Sequence, residues 1–207
     1  MKTKNILACL FLLFATQAVT AQNNADAMIR GFIGQIKSHK NLEMTFTYQI
    51  SPDGKNFSET ENGKAWLQGE AFRIEMAEQQ NISDGKSIWT YLIEEEEVMV
   101  SNATDGEDNT PLKLLTSLDQ GYAATLAGID AQGVATVELA NPKGQYKRVS
   151  LKIDTKKNEI KSADIFAEDG SCLKIKVETM KFDQSLDDRF FTFDEKKHPN
   201  VDVIDMR

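Results

Sequence analysis

Little in this sequence is equipped for covalent chemistry. Among 207 residues there are two cysteines and two histidines. His39 and His198 stand in unrelated polar stretches without the spacing of a metal site, and read as surface histidines. There is no Gly-x-Ser-x-Gly elbow for a nucleophile and no glycine-rich loop to cradle a phosphate. Cys172 opens an alternating apolar stretch, where a cysteine serves as a small buried hydrophobe. Carboxylates are plentiful, so an acid pair is the one catalytic device the composition leaves open. Basic residues are in deficit: 24 Lys+Arg face 32 Asp+Glu, a net charge of −8. A nucleic-acid binder needs a basic face to neutralise phosphates, and docking by charge on anionic lipid needs the same sign. Both classes are therefore disfavoured. Long hydrophobic runs are also missing. The longest, Ile6 to Phe14, has nine residues, too few to cross a bilayer.

That run reads as an address. Lys2 and Lys4 give a basic start, the apolar core follows, and Val19-Thr20-Ala21 supplies small residues at the −3 and −1 positions. Residues 1–21 are thus expected to be a cleaved signal peptide, with Cys9 inside its core, and residues 22–207 a single mature domain. Cleavage leaves 22 Lys+Arg against 32 Asp+Glu, a net charge of −10. It also leaves one cysteine, so no internal disulfide can form, and stability must come from a core and a hydrogen-bonded sheet.

The mature chain is mainly β. It opens with an amphipathic helix over Asn24–Lys37, with Met28, Phe32 and Ile36 at spacing four and Ile29 and Ile33 beside them. After Lys40 the period changes to two: Met44, Phe46, Tyr48 and Ile50 alternate with polar residues. Further strands are expected up to Leu67, over 72–76, 87–92, 98–100, 134–139, 146–153, 160–166, 172–181, 189–193 and 201–204. Turn residues punctuate them, notably Ser51-Pro52-Asp53-Gly54, Ser83-Asp84-Gly85-Lys86 and Asp169-Gly170. Glu94 to Glu97 form a solvated hairpin tip. Thr110-Pro111 opens a second helix, with leucines at 112, 115 and 118, and further helical turns up to Leu126. Ten or more hairpin-connected strands make one large antiparallel sheet. Such a sheet curls, and the few helices are expected over its concave mouth.

These residues resemble the LolA family, the periplasmic carriers of outer-membrane lipoproteins. The Asp-Gly-Lys turn followed by an apolar residue, Trp, one residue and Tyr stands as Asp84-Gly85-Lys86 through Ile88-Trp89-Thr90-Tyr91. The Asn-Thr-Pro helix start stands as Asn109-Thr110-Pro111-Leu112. Phe191-Thr192-Phe193, a bend at Pro199 and Val201-Asp202-Val203-Ile204-Asp205 match the terminal pattern, and Phe72-Arg73 the early Phe-Arg. One departure concerns the lid. Members carry an Arg-Pro pair after the tryptophan strand, whose arginine helps hold the lid closed. Here Gln68-Gly69-Glu70 follows Trp66-Leu67, and Arg73 is not at the matching position.

The resemblance implies a LolA/LolB-like half-barrel with a helical lid over an apolar cavity, no cofactor and no covalent step. It also implies a periplasmic monomer that takes acylated lipoproteins from an inner-membrane ABC-type extractor and delivers them to an outer-membrane acceptor. The expected lining is Phe46, Tyr48, Trp66, Phe72, Ile74, Met76, Trp89 and Tyr91 on or near the concave face. Phe32 and Ile36 would face it from the first helix, and Leu112, Leu115 and Leu118 from the lid. Alternation does not fix which face Trp89 and Tyr91 take. A second reading on the same scaffold is a lipid- or acyl-binding sensor or regulatory module, since related half-barrels serve such roles.

Overall fold

The computed structural model describes residues 24–103, 121–143 and 146–207. The signal segment at 1–21 and the lid leucines 112, 115 and 118 lie outside the described residues.

The first helix, α1, spans residues 24–38. Ala25, Ile29, Phe32, Ile33 and Ile36 are buried along one face, as the spacing dictates. Gly31 lets α1 lie close to the turn at Asn158: a Cβ there would stand 2.9 Å from the Asn158 side-chain nitrogen.

The rest is a single sheet of β1 (Leu42–Ser51), β2 (Glu61–Gln68), β3 (Ala71–Glu75), β4 (Gln79–Ser83), β5 (Ser87–Leu92), β6 (Glu97–Asn102), β7 (Ala123–Ile129), β8 (Val134–Ala140), β9 (Tyr146–Asp154), β10 (Glu159–Ala167), β11 (Cys172–Phe182) and β12 (Asp202–Asp205). Its order is β12-β6-β5-β4-β3-β2-β1-β11-β10-β9-β8-β7. Two meanders, β1–β6 and β7–β11, therefore meet at the β1/β11 seam, and the sheet stays unclosed. At the seam Thr45 and Thr179 share a hydroxyl hydrogen bond of 2.7 Å across 134 positions of sequence. A bulge between Thr45 and Phe46 shifts the register there and sharpens the local bend.

Register assigns the two faces. Leu42, Met44, Phe46, Tyr48 and Ile50 share the concave face with Ala65 and Leu67 of β2 and with Leu173 and Ile175 of β11. The main core lies where α1 packs on this face, against Val137, Leu139, Val149, Leu151 and Ile153. The convex face is polar over β8–β11. Over β2–β6 it carries a row running Trp66, Arg73, Ile82, Trp89 and Val100 from strand to strand. The chain after β11 covers that row. Phe190 meets the Trp66 ring edge-on at 5.0 Å, Tyr91 packs on Phe193 and His198, and Phe191 is buried.

Three expectations are corrected. Residues 189–193 are not a strand: Asp187 caps a 3-10 helix over Asp188–Phe191, accepting from the Arg189 amide. The consecutive aromatics there lack the alternation a strand needs. Residues 123–126 are the start of β7 rather than helix. The sheet is not wholly antiparallel, because β12 pairs parallel with β6.

Several surface carboxylates are held below their usual range. Backbone amides of Asn56 and Lys55 hold Asp53 low, and those of Lys157 and Lys156 do the same for Asp154. The His39 side chain lowers Asp183. Arginine hydrogen bonds bring Asp187 and Asp205 down to about 2. A carboxyl depressed in the folded state stabilises the fold above its unfolded value, near 4, and loses that contribution as pH falls through its folded value. The melting temperature is therefore expected to fall between pH 4 and pH 2, by small steps because these groups are exposed. A melting temperature that rose over that interval would contradict the assignment.

Candidate functional site

The concave face that α1 leaves uncovered forms a cavity of about 460 Å³. Its floor is the β1/β11 seam, from Leu42, Met44, Phe46 and Ile50 on one side and Leu173, Ile175, Val177 and Met180 on the other. Ala65, Leu67, Ile74 and Met76 wall one flank, and Tyr146, Val149, Leu151, Ile160, Ala163 and Ile165 the other. Phe32 and Ile36 of α1 reach into it. Among the described residues none that lines it is charged, and polar side chains come only from Tyr146, Ser171 and Cys172. Such a chamber stays dry and accepts apolar guests.

Exposure grades along its length. Leu42 is 3% exposed, whereas Ile50 is 46% exposed although it lines the cavity. The open end therefore lies where the β1–β2 loop meets the β10–β11 turn. There a Cβ added to Gly54 would stand 3.0 Å from the Gly170 carbonyl. Asp53 shapes that loop by accepting from the Lys55 and Asn56 amides at 2.9 and 2.8 Å. Phe46 closes one flank. Its ring lies across β2 on Gly63, where any side chain would collide with it.

The residues singled out from sequence divide three ways. Phe32, Ile36, Phe46, Ile74 and Met76 line the cavity. Tyr48 and Phe72 are buried on the same face but pack beside it. The Tyr48 hydroxyl donates to Glu61 at 2.8 Å and accepts from the Ala77 amide at 3.1 Å, and burial raises its pKa. Phe72 belongs to the core under α1. Trp66, Trp89 and Tyr91 are corrected: all three are on the convex face. Trp66 stands between Ala65 and Leu67, which both line the cavity, so the period of two sends it the other way. Its indole donates to Glu43 at 3.2 Å.

Arg73 is on the convex face too. It bonds Glu75 at 2.7 Å and Gln80 at 2.9 Å, and lies over the Phe190 ring. It fastens the C-terminal segment to β3, with the sheet between it and the cavity. The β9–β11 half of the lining is absent from the sequence-based expectation. Its alternation (Val149, Leu151; Leu173, Ile175, Val177) is visible in the sequence, but it marks a plain core as readily as a cavity wall.

Among the described residues no cluster of His, Cys, Asp or Glu is placed to hold a metal, and no helix is long and apolar enough to cross a membrane. The Cys172 thiol is buried, which raises its pKa and keeps it in the unreactive protonated form.

No curated protein matches the sequence. Among solved structures, an uncharacterised conserved protein from Thermus thermophilus is similar at 12% identity and a TM-score of 0.55, covering 85% of this chain and 98% of that one. A LolA superfamily protein from Nitrosomonas europaea is similar at 11% identity and a TM-score of 0.43, over 82% of this chain and 97% of that one. A DUF1329 family protein from Desulfovibrio piger is similar at 14% identity and a TM-score of 0.48, over 83% and 97%. The model of the outer membrane lipoprotein carrier protein LolA matches residues 37–194. That span runs from the end of α1 through every strand of the cavity, so the chain belongs to the LolA family.

Proposed function

We propose that this protein is a carrier of acylated lipoproteins that shields their hydrocarbon in the concave cavity while they cross an aqueous compartment. The observation that carries the reading is a chamber of about 460 Å³, open at one end, with no charged residue among the described residues of its wall. An acyl chain of about 15 methylenes gains at most about 12 kcal/mol on leaving water, at about 0.8 kcal/mol per methylene. Cargo with exposed tails therefore would not leave a membrane, and a dry chamber offsets the loss. Release needs no covalent step, only an acceptor of comparable apolarity. In this reading residues 1–21 direct the chain to the periplasm and are removed, and residues 22–207 act as one monomeric domain. The cargo comes from an inner-membrane ABC-type extractor and goes to an outer-membrane acceptor.

The test is titration of the full protein with a fluorescent fatty acid, which is expected to bind saturably and to be displaced by palmitate. Mass spectrometry of protein purified from its own compartment is expected to find bound lipoprotein or lipid. An absence of saturable binding together with an empty protein would sink the proposal.

A further inference from the structure

Three side chains of the cavity wall carry a sulfur that holding a guest does not require. Met44 of β1 and Met180 of β11 are direct partners across the seam, and Met76 follows β3. Six methionines follow residue 21 and half of them line this one wall, so the chamber concentrates the oxidisable sulfur of the chain. Met44 and Met76 pack on Phe46, Tyr48 and Ala65, and Met180 on the core under α1. All three are half-buried, within reach of a small solute that enters the open end. A thioether is apolar and polarisable, which suits an adaptable wall, and it is oxidised in a single two-electron step. The one thiol nearby, Cys172, is held protonated by burial and reacts poorly.

Resting on the carrier reading, we propose that Met44, Met76 and Met180 form an oxidant-sensitive site through which a peroxide closes the cavity to apolar guests. A lone pair of the thioether sulfur attacks one oxygen of hydrogen peroxide. The sulfur–oxygen bond forms as the O–O bond breaks. The departing hydroxide takes the proton of the sulfur-bound oxygen and leaves as water. The sulfur gives up two electrons and the peroxide receives them. The sulfoxide that results places a strong hydrogen-bond acceptor where an apolar side chain stood. Among the described residues the wall has no charged group to pair with it, and Ser171 and Cys172 stand at the far end of β11 from Met180. Each sulfoxide therefore draws water into the chamber or meets hydrocarbon unpaired, and either outcome weakens the hold on a guest by a factor of about ten or more. The change is reversible, because methionine sulfoxide reductases, one for each epimer, return the thioether.

The experiment titrates the full protein with a fluorescent fatty acid before and after graded hydrogen peroxide, while peptide mass spectrometry reads the oxidation of each methionine. Met206, 56% exposed and outside the cavity lining, is expected to convert first without changing affinity. Met44, Met76 and Met180 are expected to follow, more slowly when palmitate saturates the protein, and affinity then falls about tenfold or more. Both reductases together restore it. In a variant carrying Met44→Leu, Met76→Leu and Met180→Leu, whatever its starting affinity, the ratio before and after peroxide is expected to shrink to within about twofold. Each single leucine variant serves if the triple does not fold, and loses less to peroxide than the wild type does. Met206→Leu keeps the full loss. Undiminished affinity with all three sulfurs oxidised, three sulfurs that stay reduced, or an equal loss in the leucine variants would overturn the inference and leave the carrier reading standing. An untreated protein that does not bind the probe would overturn the carrier reading, and this inference with it.

Discussion

Phe191→Ala is expected to destabilise the fold by about 3–5 kcal/mol and to leave acyl binding unchanged. Phe191 is 2% exposed and among the largest fully buried side chains. It lies in the 3-10 helix that rests on β3, on the side of the sheet away from the cavity. Truncating it opens a void in the small convex core and frees the segment held by Arg73 and Trp66. For a domain of this size the loss corresponds to about 10 °C in melting temperature. Trp66 and Trp89, the only tryptophans, both belong to that face. Their emission is expected to shift red in the variant, and to move little when an acyl chain fills the cavity of the wild type. A variant that melts with the wild type would show that the segment is not fastened as described. One that loses acyl affinity while still folded would show that the two faces are coupled.

Ala163→Leu is expected to do the reverse. Ala163 lines the cavity on β10, facing Leu151 and Ile175 on the neighbouring strands. Three added carbons enter space that is already empty, so the fold is expected to gain about 1–2 kcal/mol rather than suffer from overpacking. The same carbons displace about three methylenes of a 16-carbon chain, which weakens its binding by up to about 50-fold. In an ordinary core the substitution would be destabilising, because no room would exist. A lower melting temperature with acyl affinity unchanged would argue that this face is packed solid.

The two substitutions also mark what is legible in the sequence. Period-two alternation locates most strands and the helical period locates α1, because apolar side chains recur along one face of those segments. β4 escapes notice since Gln79-Gln80-Asn81-Ile82-Ser83 contains a single apolar residue, which faces the convex core. β7 escapes because Ala123-Ala124-Thr125-Leu126 suits a helix as readily as a strand. Its pairing with β8 decides the matter, and pairing is not written in a local window. The cavity face is half legible. Parity on their strands finds Phe46, Ile74 and Met76. Size alone draws Trp66, Trp89 and Tyr91 to the same face, although Trp66 has the wrong parity relative to Leu67. An apolar ring under a C-terminal segment and one inside a cavity look alike until the segment is seen to fold back.

The seam between β1 and β11 bears on how this molecule is made. β1 is an early strand and its second neighbour is a late one. Until the chain has emerged as far as Phe182, the strand destined for the middle of the sheet has one side bare, a template for any other extended chain nearby. A product cut short before that point is not a smaller version of this protein but a sticky half-sheet. Its folding therefore favours keeping the whole polypeptide open until the last long strand is available.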